Sequence, residues 1–155
     1  ALVFRRLTGE AGMLLIINDH LDVALAVGAD GVHLGQDDLP CAVARRLAPE
    51  LIIGVSTHDR AQALRAQEDG ASYINIGPLF ATTTKEGVSA PLGVEAIGRN
   101  SEGIAIPFTV MGGIHGENLD RVLAAGARRV AMVTEITEAP DVAQRVRELR
   151  RRIRG

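Results

Sequence analysis

The chain has no tryptophan, one tyrosine and three phenylalanines, an aromatic fraction of 3% in 155 residues. With so few rings it has no platform for stacking successive bases, which excludes that kind of nucleic-acid module. Its core must instead be built from Val, Ile, Leu and Ala. Cysteine is nearly absent as well. Cys41 alone permits neither an intrachain disulfide nor a cysteine cluster for zinc; following Pro40 in an Ala-rich stretch, it reads as a small buried residue. The formal net charge is only −2, so no global field gathers polyanions. No apolar run approaches membrane-spanning length and no leader-like segment is visible, so the expectation is a cytoplasmic protein with neither a membrane nor a nucleic-acid partner.

What the chain does have is 46% hydrophobic residues arranged in short blocks. Met13–Ile17, Gly31–Leu34, Leu51–Val55, Tyr73–Ile76, Pro107–Met111 and Arg129–Val133 are too short for helices and rich in Val, Ile or Leu, as buried parallel strands are. Between them lie helical patterns, among them Ala42–Leu47, Arg60–Glu68, Glu117–Ala125 and Asp141–Ile153. In the last, Val142, Val146, Leu149 and Ile153 form one helical face among six arginines, an amphipathic end helix with a basic side. Gly28-Ala29, Gly70-Ala71 and Gly126-Ala127 each end a helical stretch and precede a strand, the position where glycine closes a helix in the left-handed conformation. Repeated αβ units favour a parallel sheet. The reading is an α/β fold, a TIM (β/α) barrel with six of its eight βα units present. The domain spans 1–155 and opens with a helix, Leu2–Gly12, so the first two strands are expected to be missing; eight strands usually need about 200 residues or more.

In such barrels chemistry sits at the C-terminal ends of the strands. Those positions hold Asn18 and Asp19; Gly35, Gln36, Asp37 and Asp38; Ser56, Thr57 and His58; Gly77 and Pro78 followed by Thr82, Thr83, Thr84 and Lys85; Gly112 and Gly113; and Thr134. Two carboxylates on neighbouring strand ends suit Mg²⁺, which takes one or two carboxylates plus substrate phosphates. Hydroxyls beside a lysine are anion-binding equipment, and paired glycines let backbone N–H groups approach a phosphate. Each also has a plainer reading. Asp19 can cap the next helix, Asp37 and Asp38 can be turn residues before Pro40, and Ser56 and His58 can satisfy backbone groups. His20 and His33 read as structural.

The order Ile17-Asn18-Asp19, Gly31-Val32-His33-Leu34-Gly35-Gln36-Asp37-Asp38, Gly54-Val55-Ser56-Thr57-His58, Gly77-Pro78 with Thr82-Thr83-Thr84-Lys85, and Met111-Gly112-Gly113-Ile114 resembles the thiamine phosphate synthases, from about residue 10 to the end. The resemblance implies a transferase of thiamine biosynthesis. It would join hydroxymethylpyrimidine diphosphate to hydroxyethylthiazole phosphate by a dissociative reaction and release pyrophosphate. It further implies Mg²⁺ on Asp19 and Asp38 with Asn18 assisting, and Ser56 and Lys85 as the catalytic residues that bind the leaving pyrophosphate. Thr82 and Thr84 would contact the substrates, and Gly113, Val133 and Thr134 would cradle the thiazole phosphate.

The sequence departs from that pattern in three ways. Thr134 replaces the usual serine, keeping a hydroxyl. Ala127-Arg128-Arg129 replaces Ala-Asp-Gly at a junction away from the chemistry. The Gln, Arg and Lys of the family's second strand have no counterpart. Two other functions compete: a thiazole tautomerase of the same pathway, with His58 as acid/base, and a non-catalytic phosphate-binding remnant. The tautomerases lack the Gly-Gln-Asp-Asp and Thr-x-Thr-Lys segments present here. Small phosphorylated molecules are the expected partners, and open strand edges favour a homo-oligomer. The chain alone is expected to bind phosphate near Gly113 and Thr134 and to turn over little.

Overall fold

The computed structural model describes residues 1–82 and 90–155. Helices and strands alternate: α1 (Leu2–Glu10), β1 (Ile16–Asn18), α2 (Leu21–Val27), β2 (Gly31–Leu34), α3 (Cys41–Leu47), β3 (Ile52–Thr57), α4 (Arg60–Glu68), β4 (Tyr73–Ile76), α5 (Ala96–Ser101), β5 (Phe108–Val110), α6 (Leu119–Ala124), α7 (Thr134–Thr137) and α8 (Val142–Arg154). The sheet runs in chain order, β1-β2-β3-β4-β5. The chain divides into two compact units, one of Ala1–Thr57, Ala61–Ile74 and Gly103–Pro107, the other of His58–Arg60, Asn75–Glu102 and Phe108–Gly155. No described helix is long and apolar enough to cross a membrane.

In the first unit β1, β2 and β3 pair in parallel, with Asn18 opposite His33 and His33 opposite Gly54. Side chains alternate across a strand. One face therefore carries Val32, Leu34, Ile53 and Val55, all buried, and the other carries Asn18, His33, Gly54 and Ser56. The buried alanines Ala24, Ala44, Ala63 and Ala66 belong to α2, α3 and α4; having no longer side chain, they allow close helix packing. Helix α1 buries none of its residues and leaves Leu2, Val3, Phe4 and Leu7 exposed. It is held by Arg5, whose guanidinium is 2.7 Å from Asp30.

The Gly-Ala junctions share one hydrogen-bond scheme. Gly28, Gly70 and Gly126 have φ of 63°, 88° and 101°. The following alanine N–H reaches back five residues, Ala29 to Ala24, Ala71 to Ala66 and Ala127 to Val122. This is the Schellman closure, which satisfies the last helical carbonyls, and it delivers Ala29, Ala71 and Ala127 into the core.

In the second unit the expected sixth strand is shorter than its pattern suggests. Arg129–Val133 pairs only through an isolated parallel bridge, Val110 with Val130, supported by Val110 N to Arg129 O at 3.1 Å and Ala131 N to Val110 O at 2.9 Å. The ladder stops there because Arg128 and Arg129 are exposed and Thr134 already begins α7. Helix α8 behaves as its apolar spacing predicts, burying Leu149. Its basic side is not wholly solvated, since Arg145 pairs with Glu135 and Glu148 and Arg152 with Asp120. Cys41 is buried, and that burial raises its thiol pKa.

Candidate active site

The first unit brings the acidic positions to one end of paired parallel strands. Asn18 closes β1 and Asp19 follows it; Gly35 to Asp38 follow β2, in register beside it. Asp19 has φ 64° and is the one non-glycine residue with positive φ among the described residues. That conformation is uncommon outside glycine, asparagine and aspartate and is a frequent mark of functional positions. Its N–H donates to His33 O at 2.8 Å, tying it to β2. Asp38 is half-buried, and its Oδ2 accepts from Gly35 N at 2.6 Å. The turn-forming role of Asp38 is therefore real, and it engages one carboxylate oxygen. As a set, two carboxylates and the Asn18 amide are hard oxygen donors at adjoining strand ends, a chemistry that fits Mg²⁺.

Ser56 lies near the end of β3. Its carbonyl accepts from Gln36 Nε2 at 2.6 Å, and its hydroxyl lies 2.9 Å from His33 Nε2. The other ring nitrogen of His33 lies 2.9 Å from the Tyr73 hydroxyl. Sequence reasoning missed this chain. It treated His33 as structural, and its partners lie 23 and 40 residues away along the chain.

The second unit holds the glycine pair. Gly112 and Gly113 have φ of 97° and 60°, and a Cβ on Gly113 would run into Ala81 O and lie 2.9 Å from Phe80 Cβ. The segment after β4 folds onto them, with Leu79 N donating to Met111 O at 2.9 Å and Phe80 N to Gly112 O at 3.0 Å. The Val110–Val130 bridge pairs the strand that leads to Gly112 and Gly113 with the segment that leads to Val133 and Thr134. Asn118 fixes the loop between the glycines and α6: its Nδ2 donates to Gly113 O and its Oδ1 accepts from His115 N, both at 2.9 Å. Asn118, at the N-cap of α6, is not singled out by the sequence, where it falls inside the Glu117–Ala125 helical pattern.

The second unit also holds a polar cavity of about 460 Å³ lined by His115, Asn118, Arg121, Glu135 and Arg145, among others. Glu135 Oε1 accepts from Arg145 Nε at 2.7 Å, and Oε2 lies 3.0 Å from His115 Nδ1. Burial pushes the Glu135 pKa up, but the bonds from Arg145, His115 and the Gly116 N–H prevail and hold it below the usual carboxylate range. Arg121 lies 5.7 Å from the centre of the Phe80 ring, a cation–π distance. His58 donates from Nδ1 to Gly77 O at 2.6 Å; this bond satisfies a backbone carbonyl and orients the ring. Thr82 is half-buried in the segment after β4. Thr84 and Lys85 lie outside the described residues.

Carboxylates and a hydroxyl at the C-terminal ends of parallel strands in the first unit, and a glycine pair after β5 in the second, occupy the strand ends where enzymes of the (β/α) class place their chemistry. A family model described as thiamine monophosphate synthase matches residues 1–136. The chain is 48% identical over 150 residues to the thiamine-phosphate synthase of Chloroflexus aurantiacus, covering 97% of this chain and 69% of that one. To the thiamine-phosphate synthase of Pelotomaculum thermopropionicum it is 49% identical over 150 residues, with 96% and 69% covered. The solved thiamine phosphate pyrophosphorylase of Pyrococcus furiosus superposes with a TM-score of 0.89 at 36% identity, over 99% of this chain and 75% of that one. 3-Hexulose-6-phosphate synthase, with a TM-score of 0.73 at 21% identity, shares the fold alone. This chain belongs to the thiamine monophosphate synthase family, a family of transferases.

Proposed function

We propose that the chain carries the thiamine phosphate synthase reaction, with its site residues in the roles the family motifs suggest. The observation that carries this reading is positional. The candidate site residues among the described ones fall at or beyond the C-terminal end of a parallel strand or of the Val130 bridge, where this fold does its chemistry.

On this reading Asp19 and Asp38, with Asn18, hold Mg²⁺, which supplies positive charge against the diphosphate of hydroxymethylpyrimidine diphosphate. The bond between the pyrimidine methylene and the diphosphate oxygen breaks, and its electron pair leaves with pyrophosphate. The lone pair of the thiazole nitrogen then forms the new C–N bond. Ser56 and Lys85 donate to the departing pyrophosphate as its charge grows, the point at which preorganised donors lower a barrier most. Gly113, Val133 and Thr134 hold the phosphate of the thiazole partner. Gly113 serves this by its backbone, since its positive φ turns the chain and the absence of a side chain leaves room. Thr82 and Thr84 contact the substrates. The small phosphorylated substrates suit a cytoplasmic setting.

The test is formation of thiamine phosphate and pyrophosphate in equal amounts from the two substrates, with and without a magnesium chelator. The reading expects product, small in amount for this chain alone, that disappears on chelation and in a Ser56→Ala variant. Chelator-insensitive product would remove the metal from the scheme, and full activity of Ser56→Ala would remove that residue. The tautomerase alternative has no support from the relatives above, which carry the synthase name.

A further inference from the structure

The chain's only tyrosine is engaged by the histidine that faces Ser56. Tyr73 Oη, His33 Nδ1, His33 Nε2 and Ser56 Oγ form a continuous line, each link 2.9 Å. The His33 and Tyr73 rings are 5.5 Å apart and tilted by 33°. Gly54 sits against them: a Cβ there would strike the Tyr73 ring and His33 Nδ1. Glycine inside a strand costs about 0.5–1 kcal/mol relative to alanine, and here the space it leaves is filled by the two rings.

We propose that Tyr73 and His33 are positioning residues that set the direction of the Ser56 hydroxyl. Tyr73 donates to His33 Nδ1, His33 Nε2–H donates to Ser56 Oγ, and the serine proton is left to donate to a pyrophosphate oxygen. This inference rests on the reading of Ser56 as a pyrophosphate ligand.

A serine hydroxyl has one proton. If that proton points at His33 Nε2, Ser56 offers an anion only lone pairs, which repel it. A neutral imidazole has a single acceptor nitrogen, so Tyr73 and Ser56 compete for it, and the bond made at one nitrogen fixes the proton on the other. A phenol is a much stronger donor than an aliphatic alcohol, so Tyr73 takes the acceptor and the imidazole N–H turns toward Ser56. Burial raises the Tyr73 pKa, so the phenol keeps the proton this order requires. The serine backbone is already held by Gln36 at its carbonyl, leaving hydroxyl rotation as the variable the line controls.

Two measurements test it. Nitrogen NMR of imidazole-labelled wild-type protein at about pH 8, above the ordinary imidazole range, should report the Nε2–H tautomer for His33; the Nδ1–H tautomer overturns the proposal and needs no variant. Titration with inorganic pyrophosphate plus Mg²⁺ follows for the wild type, Tyr73→Phe, Ser56→Ala and the double variant. Removing a hydrogen bond to a charged group weakens binding roughly tenfold or more. Tyr73→Phe should therefore bind about tenfold more weakly when Ser56 is present and within about twofold when Ser56 is already alanine, since its effect passes through that hydroxyl. Equal losses in both backgrounds would assign Tyr73 a merely structural role and overturn the proposal. Ser56→Ala binding as tightly as wild type would instead overturn the reading of Ser56 itself, and the proposal with it.

Discussion

Gly28 and Gly113 share a backbone conformation and differ in what surrounds them. Their φ values are 63° and 60°, so an alanine at either site meets the same left-handed penalty, about 1–2 kcal/mol. A Cβ on Gly28 has nothing within 4 Å, whereas on Gly113 it meets Ala81 O and Phe80 Cβ. The first contact is with backbone, which cannot rotate away, so Gly113→Ala must push back the segment after β4 that bonds Met111 and Gly112. Overpacking of this kind adds about 1–3 kcal/mol. For a chain of this size each kcal/mol lowers Tm by about 2–4 °C. Gly28→Ala should thus lose about 2–8 °C and keep phosphate affinity, while Gly113→Ala should lose about 4–20 °C and bind inorganic phosphate roughly tenfold more weakly or worse, a change of about 1.4 kcal/mol. Circular dichroism melting and calorimetric phosphate titration of the pair separate the two effects. Equal melting losses with unchanged phosphate affinity in both would refute the assignment of Gly113 to the cradle.

Other perturbations follow from the same geometry. Asp38→Asn keeps an oxygen to accept from Gly35 N and removes the charge, so it should melt within a few degrees of wild type yet lose Mg²⁺-dependent pyrophosphate binding; Asp38→Ala should lose both, and Mg²⁺ dependence surviving in Asp38→Asn would exclude that carboxylate as a ligand. Glu135 has its folded pKa depressed below the ordinary 4.5, so its stabilisation is complete above that value and disappears as pH falls through the folded value. Denaturant titrations from neutral pH down to about pH 3 should show this slope in the wild type and less of it in Glu135→Gln. Leu149 is the one buried residue of α8, and Leu149→Ala should cost about 2–5 kcal/mol, read as a lower urea midpoint.

Much of the fold was legible because strand and helix patterns are local. β2, β4 and α4 have the bounds their residues predict, and the three Gly-Ala junctions are built as glycine chemistry requires. The run at Arg129–Val133 misled because strand propensity does not count partners; paired through Val130 alone and cut short by α7, it forms a bridge. In the candidate site, strand-end positions were legible from alternation. The bonds that orient them were not, because they join residues distant in sequence: His33 to Tyr73, Gln36 to Ser56, His115 to Glu135. Asp38 illustrates the limit from the other side. In the sequence, turn and ligand are alternatives, whereas the carboxylate has two oxygens and the turn uses one.

The strands of the first unit also show where folding requirements end and those of the site begin. A strand buried on both faces is expected to be apolar throughout. Gly31–Leu34 and Ile52–Thr57 obey this at Val32, Leu34, Ile53 and Val55 and depart from it at His33, Gly54, Ser56 and Thr57. His33, Gly54 and Ser56 share one face, which Tyr73 reaches from β4, while Thr57 is buried on the other. Polar side chains removed from water cost free energy unless paired, and these pair with one another instead of with the solvent. A core needs none of them; replacing the set with Val and Leu would satisfy the same strands. The face they share is the one that carries Asn18 at the end of β1. In the second unit Asn75 and Thr109 likewise pair with each other, the Thr109 hydroxyl donating to the Asn75 side-chain oxygen at 2.8 Å. Local breaks in a strand's apolar rule that agree in face and cluster in space mark a site better than any single residue does.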